Sequence, residues 1–221
     1  MRVFDFMMAS IGIIILSPVF IFITFIIRLS SPGPIIYSQE RVGHNGHLFH
    51  LYKFRSMVIN ADKIGTSVTT GKDPRITGIG RILRKTKLDE LPQLWNVLKG
   101  DMSFIGPRPD VPEIVNNYND SMRRILEIRP GITSNMALYL RNEEDLLSLA
   151  TDPDKAYIEI FVPAKVRLAM EHVERKSFFF DLGILFKTLW ALTGGRICPI
   201  KEHSIISEIK KDIEKMNKDL N

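Results

Sequence analysis

Hydrophobic residues fill the start of the chain almost without interruption. From Phe6 to Ile27 there are 22 positions without a charged residue, which is long enough to cross the hydrocarbon core of a bilayer. Pro18, preceded by Ser17, removes a backbone donor in the middle of this run and predicts a bend. Two structures fit: a kinked helix that spans the membrane, which base rates favour, and two half-length helices that enter one leaflet and return.

A cleaved signal peptide does not fit this run. The apolar stretch is too long for the hydrophobic region of such a peptide, and it lacks a small-residue cleavage site before Arg28. The pattern therefore indicates a membrane anchor at residues 1–30.

Residues typical of β-strands follow the anchor. The runs 35–39 and 47–54 are joined by Gly43-His44-Asn45-Gly46, and Asn-Gly supplies the positive φ of a tight turn. We predict a β-hairpin near 35–54. His44, His47 and His50 lie here without acids or cysteine at ligand spacing, so no metal site is expected from them.

Leucine and isoleucine recur at helical spacing between residues 79 and 98, with lysine and arginine on the opposite face. Thr86 followed by Asp89 is a capping-box pattern, which predicts a helix boundary at Lys85-Thr86. Lys99-Gly100 marks the end of that helix. The apolar positions are Ile79, Ile82, Leu83, Leu88, Leu91, Leu94 and Leu98.

Two further segments complete the pattern. Residues 178–190 form an apolar, aromatic-rich stretch that suits a membrane interface, with an ordinary core helix as the alternative. Residues 201–221 contain five lysines and five acidic residues, which predicts a solvated helix or a frayed end. The fold class expected from all these elements is α+β and mainly helical, with a polar domain at 31–200 between the anchor and the charged tail.

Composition and charge narrow the class of protein. Among 221 residues, 45% are hydrophobic and 25% are charged, which excludes a disordered or fibrous chain. The single cysteine, Cys198, excludes an intrachain disulfide and a cysteine zinc site. Residues 28–108 contain 13 basic and 6 acidic residues, so this part faces an anionic partner: nucleic acid, an acidic membrane surface or a phosphorylated small molecule.

Three residues in the basic region can carry chemistry. Acids in the first turn of a helix are favoured by the macrodipole, which by itself accounts for Asp89 and Glu90. Beside four cations, one of these carboxylates can instead hold Mg²⁺ while the other attacks phosphorus. Arg108 lies between Pro107 and Pro109, and its guanidinium suits a phosphate oxygen.

Several blocks of this sequence, in this order and spacing, resemble a known family. They are PGPIIYSQERVG, KFRSM, DPRITGIGRILRKTKLDELPQLWNVLKGDMSFIGPRP and RPGIT. The chain resembles the bacterial sugar transferases that make polyprenyl-diphosphate-linked sugars, the monotopic phosphoglycosyl transferases. The resemblance covers nearly the whole chain, and the length is that expected of the small, minimal form.

The resemblance implies a two-step phosphoryl transfer. Asp89 matches the family nucleophile, which attacks the β-phosphorus of a UDP-sugar, expels UMP and becomes an acyl phosphosugar. Glu90 matches the acid that binds Mg²⁺. Undecaprenyl phosphate then attacks the intermediate, which gives undecaprenyl-diphosphate-sugar as the first membrane step of glycoconjugate synthesis.

The same resemblance implies further site residues. Lys53, Arg84 and Arg108 would contact phosphate or nucleotide, and Asp152 would lie near the site. From the residues alone, Lys53 also fits a charge at a strand edge, Arg84 a solvated helix face, and Asp152 a helix cap before Pro153.

The resemblance also implies a topology and a place in the cell. It favours a re-entrant helix broken at Ser17-Pro18, with the polar domain on the cytoplasmic face of the bacterial inner membrane, beside membrane lipids and downstream glycosyltransferases. The rival is a non-catalytic membrane-anchored adaptor that binds anionic lipid or a protein partner. That rival does not account for acids at the centre of the basic region. Nucleic acid is excluded as a partner by the anchor, the acidic second half and the lack of a reading motif.

Overall fold

The computed structural model of the chain describes residues 2–61, 73–140, 143–175, 177–192 and 204–219. The fold is α+β and mainly helical, as expected, and the described residues form two small sheets, of which only the hairpin was predicted. Cys198 lies outside the described residues.

The first helix, α1 (Arg2–Ser30), is continuous through Pro18. The Ser17 hydroxyl donates a 2.8 Å hydrogen bond to the carbonyl of Ile14, which is the carbonyl that Pro18 leaves without its helical donor. Within the described residues, α1 is the helix long and apolar enough to cross a membrane. The structure therefore contains one helix rather than two separate half-helices.

Both ends of α1 contact the polar domain. Near its start, the Asp5 carboxylate accepts hydrogen bonds from Ser103 Oγ at 2.9 Å and from the Phe104 amide at 3.4 Å. Near its end, Ile23 and Ile27 pack in one cluster with the domain. The opposite face is exposed and apolar, and its most exposed side chains include Ile14, Ile15, Ile21, Phe22, Phe25 and Leu29.

The predicted hairpin is confirmed. Strand β1 (Ile36–Val42) pairs antiparallel with β2 (Leu48–Phe54). A 3₁₀ turn, His44–Gly46, joins them, and Asn45 and Gly46 adopt φ of 55° and 79°.

The basic segment folds as two helices joined by a short turn. Helix α2 (Gly78–Thr86) ends at Lys87, which adopts the left-handed conformation; a 3₁₀ turn, Leu88–Glu90, and α3 (Gln93–Lys99) follow. The predicted cap at Thr86 is wrong because Thr86 is still helical and its hydroxyl donates back to the carbonyl of Ile82. The predicted end at Lys99-Gly100 is confirmed, since Gly100 caps α3 with a φ of 87°.

The second sheet is short and parallel. Strand β3 (Ser103–Ile105) pairs with β4 (Gly131–Thr133). Short helices surround it: α4 (Pro112–Val115), α5 (Asp120–Arg123) with a 3₁₀ turn Arg124–Glu127, α6 (Asn135–Tyr139), α7 (Glu143–Leu147) and α8 (Pro153–Ala156). A π-helical turn, Tyr157–Phe161, leads into α9 (Val162–Arg175). Helix α9 packs in the largest hydrophobic cluster of the described residues, which is called the main core below.

The last two helices are both amphipathic in their packing. Helix α10 (Phe178–Leu192) buries Ile184 against Ile105 and Leu138, whereas Phe179 and Phe186 are exposed. Helix α11 (Ser204–Asp219) confirms the helix expected in the tail, but it is not solvated all round, because one of its faces is buried in the main core. Apolar residues at helical spacing provide that face: Ile205, Ile209, Ile213 and Met216.

Candidate active site

Close backbone contact brings the hairpin and the basic segment together. The carbonyl of Ser56, just after β2, accepts hydrogen bonds from the Thr77 amide at 3.0 Å and from the Thr77 hydroxyl at 3.2 Å. A Cβ on Gly80 would lie 1.9 Å from that same carbonyl oxygen, so only glycine permits this approach. The end of β2 and the start of α2 are thereby fixed against each other.

Asn96 ties α3 to the same strand. Its side-chain oxygen accepts a 3.1 Å hydrogen bond from the Tyr52 amide, and its side-chain amide donates at 2.7 Å to the carbonyl of His50. Asn96 is fully buried, so both contacts are shielded from water. The Asn96 side chain thus hydrogen-bonds to the backbone at the edge of β2. This fixes Lys53, which follows Tyr52 in the strand, relative to the turn that contains Asp89 and Glu90.

Three of the predicted site residues meet at one carboxylate oxygen. Glu90 Oε1 accepts a 3.3 Å hydrogen bond from Lys53 Nζ and a 2.9 Å hydrogen bond from Arg108 Nη2. These partners come from the end of β2 and from the loop after β3, at sequence separations of 37 and 18 residues. The structure therefore brings together Lys53, Glu90 and Arg108, with Asp89 adjacent.

The Asp89 side chain has a different environment from that of Glu90. Asp89 is only 4% exposed, and its Oδ1 atom is buried without a hydrogen-bond partner among the described residues. Burial raises the pKa of this carboxyl; the charge of Lys53 opposes the rise and that of Glu90 adds to it. A buried carboxylate oxygen that accepts no hydrogen bond keeps its lone pairs available for attack on an electrophile.

The pKa of Glu90 moves in the opposite direction. Burial by itself would raise it, but the charges of Arg108 and Lys53 outweigh burial and hold the pKa well below its usual range. Two consecutive carboxylates thus differ in protonation behaviour, which is how two similar groups take different roles in one site. Glu90 stays ionised, and Asp89 is the weaker acid.

The two cations on Glu90 also differ. Burial, followed by the charge of Arg108, lowers the pKa of Lys53 to about 8. The charge of Glu90 raises the already high pKa of Arg108 further. Arg108 is therefore a permanent cation, whereas Lys53 can lose its charge under mildly alkaline conditions.

The remaining predicted residues have other partners. Arg84 forms an ion pair with Glu144 of α7, and its charge partly opposes the rise that burial causes in the pKa of Asp89. Asp152 is exposed and caps α8, since its carboxylate accepts a 3.0 Å hydrogen bond from the Lys155 amide. Its role at the substrate stays a prediction.

Sequence reasoning missed two supporting residues, Asn96 and Arg41. Arg41 donates from Nη1 to the carbonyl of Pro109 at 3.1 Å and from Nη2 to Gln39 Oε1 at 2.6 Å, which joins β1 to the Arg108 loop. The available signal for Asn96 was a polar residue between the apolar positions Leu94 and Leu98 of a predicted helix. Such a residue is buried only when its amide is fully hydrogen-bonded.

The Glu90 carboxylate fits a magnesium ion. Mg²⁺ prefers oxygen ligands, and it is usually held by one or two carboxylates together with substrate phosphates and water. Glu90 supplies an ionised carboxylate for such an ion, whereas the unpaired Oδ1 of the adjacent Asp89 is the oxygen suited to attack. In the part of the chain that the structure describes, no cluster of three or more metal-ligating residues forms an all-protein cage. This donor set suits an ion that takes its other ligands from a phosphorylated substrate.

Comparison with known proteins decides the family. The sequence profile described as "Bacterial sugar transferase" matches residues 1–195. The chain belongs to the bacterial sugar transferase family. Its polar-domain blocks and its N-terminal apolar helix both lie inside the matched range.

Individual members of the bacterial sugar transferase family cover the chain to different extents. A Bacillus subtilis (strain 168) protein, provisionally named an undecaprenyl-phosphate N-acetylgalactosaminyl 1-phosphate transferase, is 47% identical over 61% of this chain and 72% of its own length. The exopolysaccharide production protein ExoY of Sinorhizobium fredii is 35% identical, over 86% of this chain and 84% of its own length. The UDP-glucose:undecaprenyl-phosphate glucose-1-phosphate transferase of Escherichia coli (strain K12) is 36% identical over 86% of this chain, which spans 39% of that protein.

Proposed function

We propose that this chain transfers a sugar 1-phosphate from a UDP-sugar to undecaprenyl phosphate, giving undecaprenyl-diphosphate-sugar and UMP. One observation carries the proposal: Asp89 is buried with an unpaired oxygen beside Glu90, which Lys53 and Arg108 hold ionised. Family membership supports the reaction class, and the E. coli relative is named for the same transfer with UDP-glucose.

In the first step, an oxygen of the Asp89 carboxylate attacks the β-phosphorus, which bears the sugar. A bond forms between this oxygen and phosphorus, and the bond from phosphorus to the bridging oxygen breaks. That oxygen leaves with the electron pair as part of UMP. Positioning and charge neutralisation govern such a transfer, so the cationic side chains of Lys53 and Arg108 are suited to the phosphate oxygens.

In the second step, a phosphate oxygen of undecaprenyl phosphate attacks the same phosphorus. The bond between phosphorus and Asp89 breaks, and the carboxylate is released for another cycle. Splitting the transfer into two displacements lets the water-soluble donor and the lipid acceptor react in turn at one carboxylate.

Glu90 would hold Mg²⁺ at the diphosphate of the donor. The ion would supply charge neutralisation on phosphate oxygens and on the departing UMP. Arg108 and Lys53 hold the pKa of Glu90 down, so its carboxylate is ionised at neutral pH, which a ligand of Mg²⁺ must be.

The membrane arrangement in this proposal is re-entrant, with the domain on the cytoplasmic face of the inner membrane. In this arrangement the helix of 29 residues, about 43 Å long, would bend at Pro18 and return to the same face instead of crossing the bilayer. Contacts of Asp5 with Ser103 at one end, and of Ile23 and Ile27 with Phe54 and Leu83 at the other, support both ends lying on the same side. The exposed apolar face of α1 and the exposed aromatic residues of α10, Phe179 and Phe186, would lie in the lipid.

Cysteine labelling tests this topology. In a Cys198→Ser background, single cysteines would be introduced at position 3 and at position 31, and an impermeant thiol reagent would be added to sealed inverted membranes. Labelling of both positions is expected. Labelling of only one would mean that α1 spans the bilayer.

The reaction is tested by UMP release. Purified protein in lipid, with Mg²⁺ and undecaprenyl phosphate, would be given a panel of UDP-sugars, with Asp89→Asn as the inactive control and Asp120→Asn as a matched exposed control. UMP release with at least one sugar, absent in Asp89→Asn, is expected. No release with any sugar would contradict the proposal and favour a non-catalytic adaptor.

A further inference from the structure

A buried chain of polar side chains lies behind the Arg108 loop. Asp110, two residues after Arg108, accepts a 2.7 Å hydrogen bond from the Tyr118 hydroxyl and a 2.9 Å hydrogen bond from the Tyr157 hydroxyl. Lys165 Nζ donates to the Tyr157 oxygen at 2.9 Å. The Asp110 side chain is thus connected through Tyr157 to a lysine in α9.

Lys165 is itself held on its other side. Its ammonium donates a 2.6 Å hydrogen bond to Glu143 Oε1 at the start of α7, and it also lies 4.3 Å from the centre of the Tyr157 ring. Lys165 is only 5% exposed. A buried ion pair often adds little to stability compared with apolar side chains of similar size, so stability alone gives a weak reason for a lysine here.

The direction of this hydrogen-bond chain is fixed. Lysine can only donate, so the Tyr157 oxygen accepts from Lys165 and the Tyr157 hydroxyl donates to Asp110. Burial raises the pKa of Tyr157 to about 12. Burial by itself would lower the pKa of Lys165, but the charge of Glu143, with Tyr157 and Asp110, raises it. Neither group changes its protonation near neutral pH, so the chain acts as a fixed support and not as a proton relay.

The support reaches Arg108 through a stiff backbone. Pro107 and Pro109 fix φ on both sides of Arg108, and the carbonyl of Asp110 accepts a 3.0 Å hydrogen bond from the Val42 amide. With Asp110 held, the backbone that follows Arg108 is fixed in the position from which Arg108 Nη2 donates to Glu90 Oε1 at 2.9 Å. We propose that Tyr157 and Lys165 are positioning residues, which hold the Asp110 carboxylate and through it keep Arg108 at the phosphate of the donor substrate.

Helix α7 connects this support to the other predicted phosphate-binding arginine. Glu143 holds Lys165, and the next residue, Glu144, pairs with Arg84. The first turn of α7 therefore contacts both the lysine of this support and Arg84.

The inference rests on the proposed function, and its test is a double-mutant cycle. UMP release would be measured for wild type, Tyr157→Phe, Arg108→Lys and the double variant, with kcat and KM for the UDP-sugar. Tyr118→Phe serves as a second variant on the same carboxylate. Tyr52→Phe, whose hydroxyl is 3.5 Å from Lys99, is the matched control.

Tyr157→Phe is expected to raise KM for the UDP-sugar and to lower kcat/KM about tenfold, the scale of one hydrogen bond to a charged group. In the Arg108→Lys background the same change should lower kcat/KM less than about twofold, because the group being positioned is already altered. A merely structural role would reduce the active fraction, lowering kcat with KM unchanged and by the same factor in both backgrounds.

The other possible results overturn either the positioning role or the proposed function. Equal losses in both backgrounds, or no loss in Tyr157→Phe and Tyr118→Phe, would overturn the positioning role while the proposed function stands. If Arg108→Lys has full activity, there is no group to position and the inference falls. Failure of Asp89→Asn to abolish UMP release would instead overturn the proposed function.

Discussion

Arg108 Nη2 lies 2.9 Å from Glu90 Oε1, and this contact separates the roles of two consecutive carboxylates. Arg108, together with Lys53, holds the pKa of Glu90 low, whereas the neighbouring Asp89 is buried with an unpaired oxygen and a raised pKa. The difference arises from where the cations lie and not from the carboxyl groups themselves. It leads to distinct outcomes for substitutions at the two positions.

Asp89→Asn should abolish the transfer. An amide cannot form the acyl phosphate, so turnover should fall by about 10³-fold or more, with the residual set by contamination or an uncatalysed route. UMP release in lipid measures this loss, and Asp120→Asn, an exposed acid on α5, should have wild-type activity. Turnover by Asp89→Asn within about tenfold of wild type would exclude Asp89 as the nucleophile.

The same substitution should stabilise the fold at neutral pH. Burial raises the pKa of Asp89 in the folded protein above its value in the unfolded chain. The contribution of Asp89 to the stability of the fold is therefore complete at pH values below the unfolded pKa, and it is lost as pH rises through the folded pKa. A neutral asparagine avoids burying that charge. The Tm of Asp89→Asn should therefore exceed that of wild type at pH 7, and the gap should shrink near pH 4. A constant gap at both pH values would contradict the raised pKa.

Lys53 should set the alkaline limb of the activity profile. Its pKa of about 8 means that the charge on Glu90 and on substrate phosphate is less well neutralised as pH rises above that value. Arginine stays protonated throughout this range, so Lys53→Arg should retain a larger share of its pH 7 activity at pH 9. Lys99→Arg, at an exposed position, is the control. Identical normalised profiles for Lys53→Arg and wild type would rule out this assignment.

Glu90→Gln should weaken the response to Mg²⁺. Loss of the ionised carboxylate should raise the Mg²⁺ concentration for half-maximal activity by about tenfold or more, the scale seen when groups around metal ligands are changed. Titration of UMP release with MgCl₂ measures this, and Glu113→Gln provides a matched exposed control. An unchanged Mg²⁺ midpoint in Glu90→Gln would place metal binding elsewhere.

Two substitutions at Asp152 separate its role as a helix cap from a role at the substrate. Asparagine caps helices about as well as aspartate, whereas alanine at a cap costs about 1 kcal/mol. Asp152→Asn should therefore keep the wild-type Tm, and Asp152→Ala should lower it. The family resemblance predicts that Asp152→Asn nevertheless lowers turnover. Full turnover in Asp152→Asn would mean that Asp152 acts only as a helix cap and not at the substrate.

Local features of this fold could be predicted from the sequence. Asn45-Gly46 supplied the turn of the hairpin, and Gly100 supplied the end of α3. The boundary at Lys85-Thr86 was predicted correctly, because α2 ends at Thr86, but the cap was assigned to the wrong residue: the left-handed Lys87 caps α2, and a lysine carries no signal for that conformation. The burial of α11 followed from apolar spacing in a segment whose many charges suggested solvation.

Long-range features of the site could not be predicted in the same way. The contrast between Asp89 and Glu90 depends on Lys53 and Arg108, which reach the turn only once the hairpin and the β3 loop have packed. The pairing of Tyr157 with Lys165 joins a π-helical turn to α9 and leaves no local pattern except one lysine among apolar residues. Both features are properties of tertiary packing.

The central claim is that Asp89 becomes covalently bound to the phosphosugar, and a single-turnover experiment tests it most directly. Protein in lipid without undecaprenyl phosphate would be mixed with Mg²⁺ and the UDP-sugar that supports turnover, and UMP and intact protein mass would be followed. The account predicts a burst of about one UMP per active site and a sugar-phosphate mass increase on the peptide containing Asp89, both absent in Asp89→Asn. UMP release that requires undecaprenyl phosphate, with no mass increase on the protein, would contradict it.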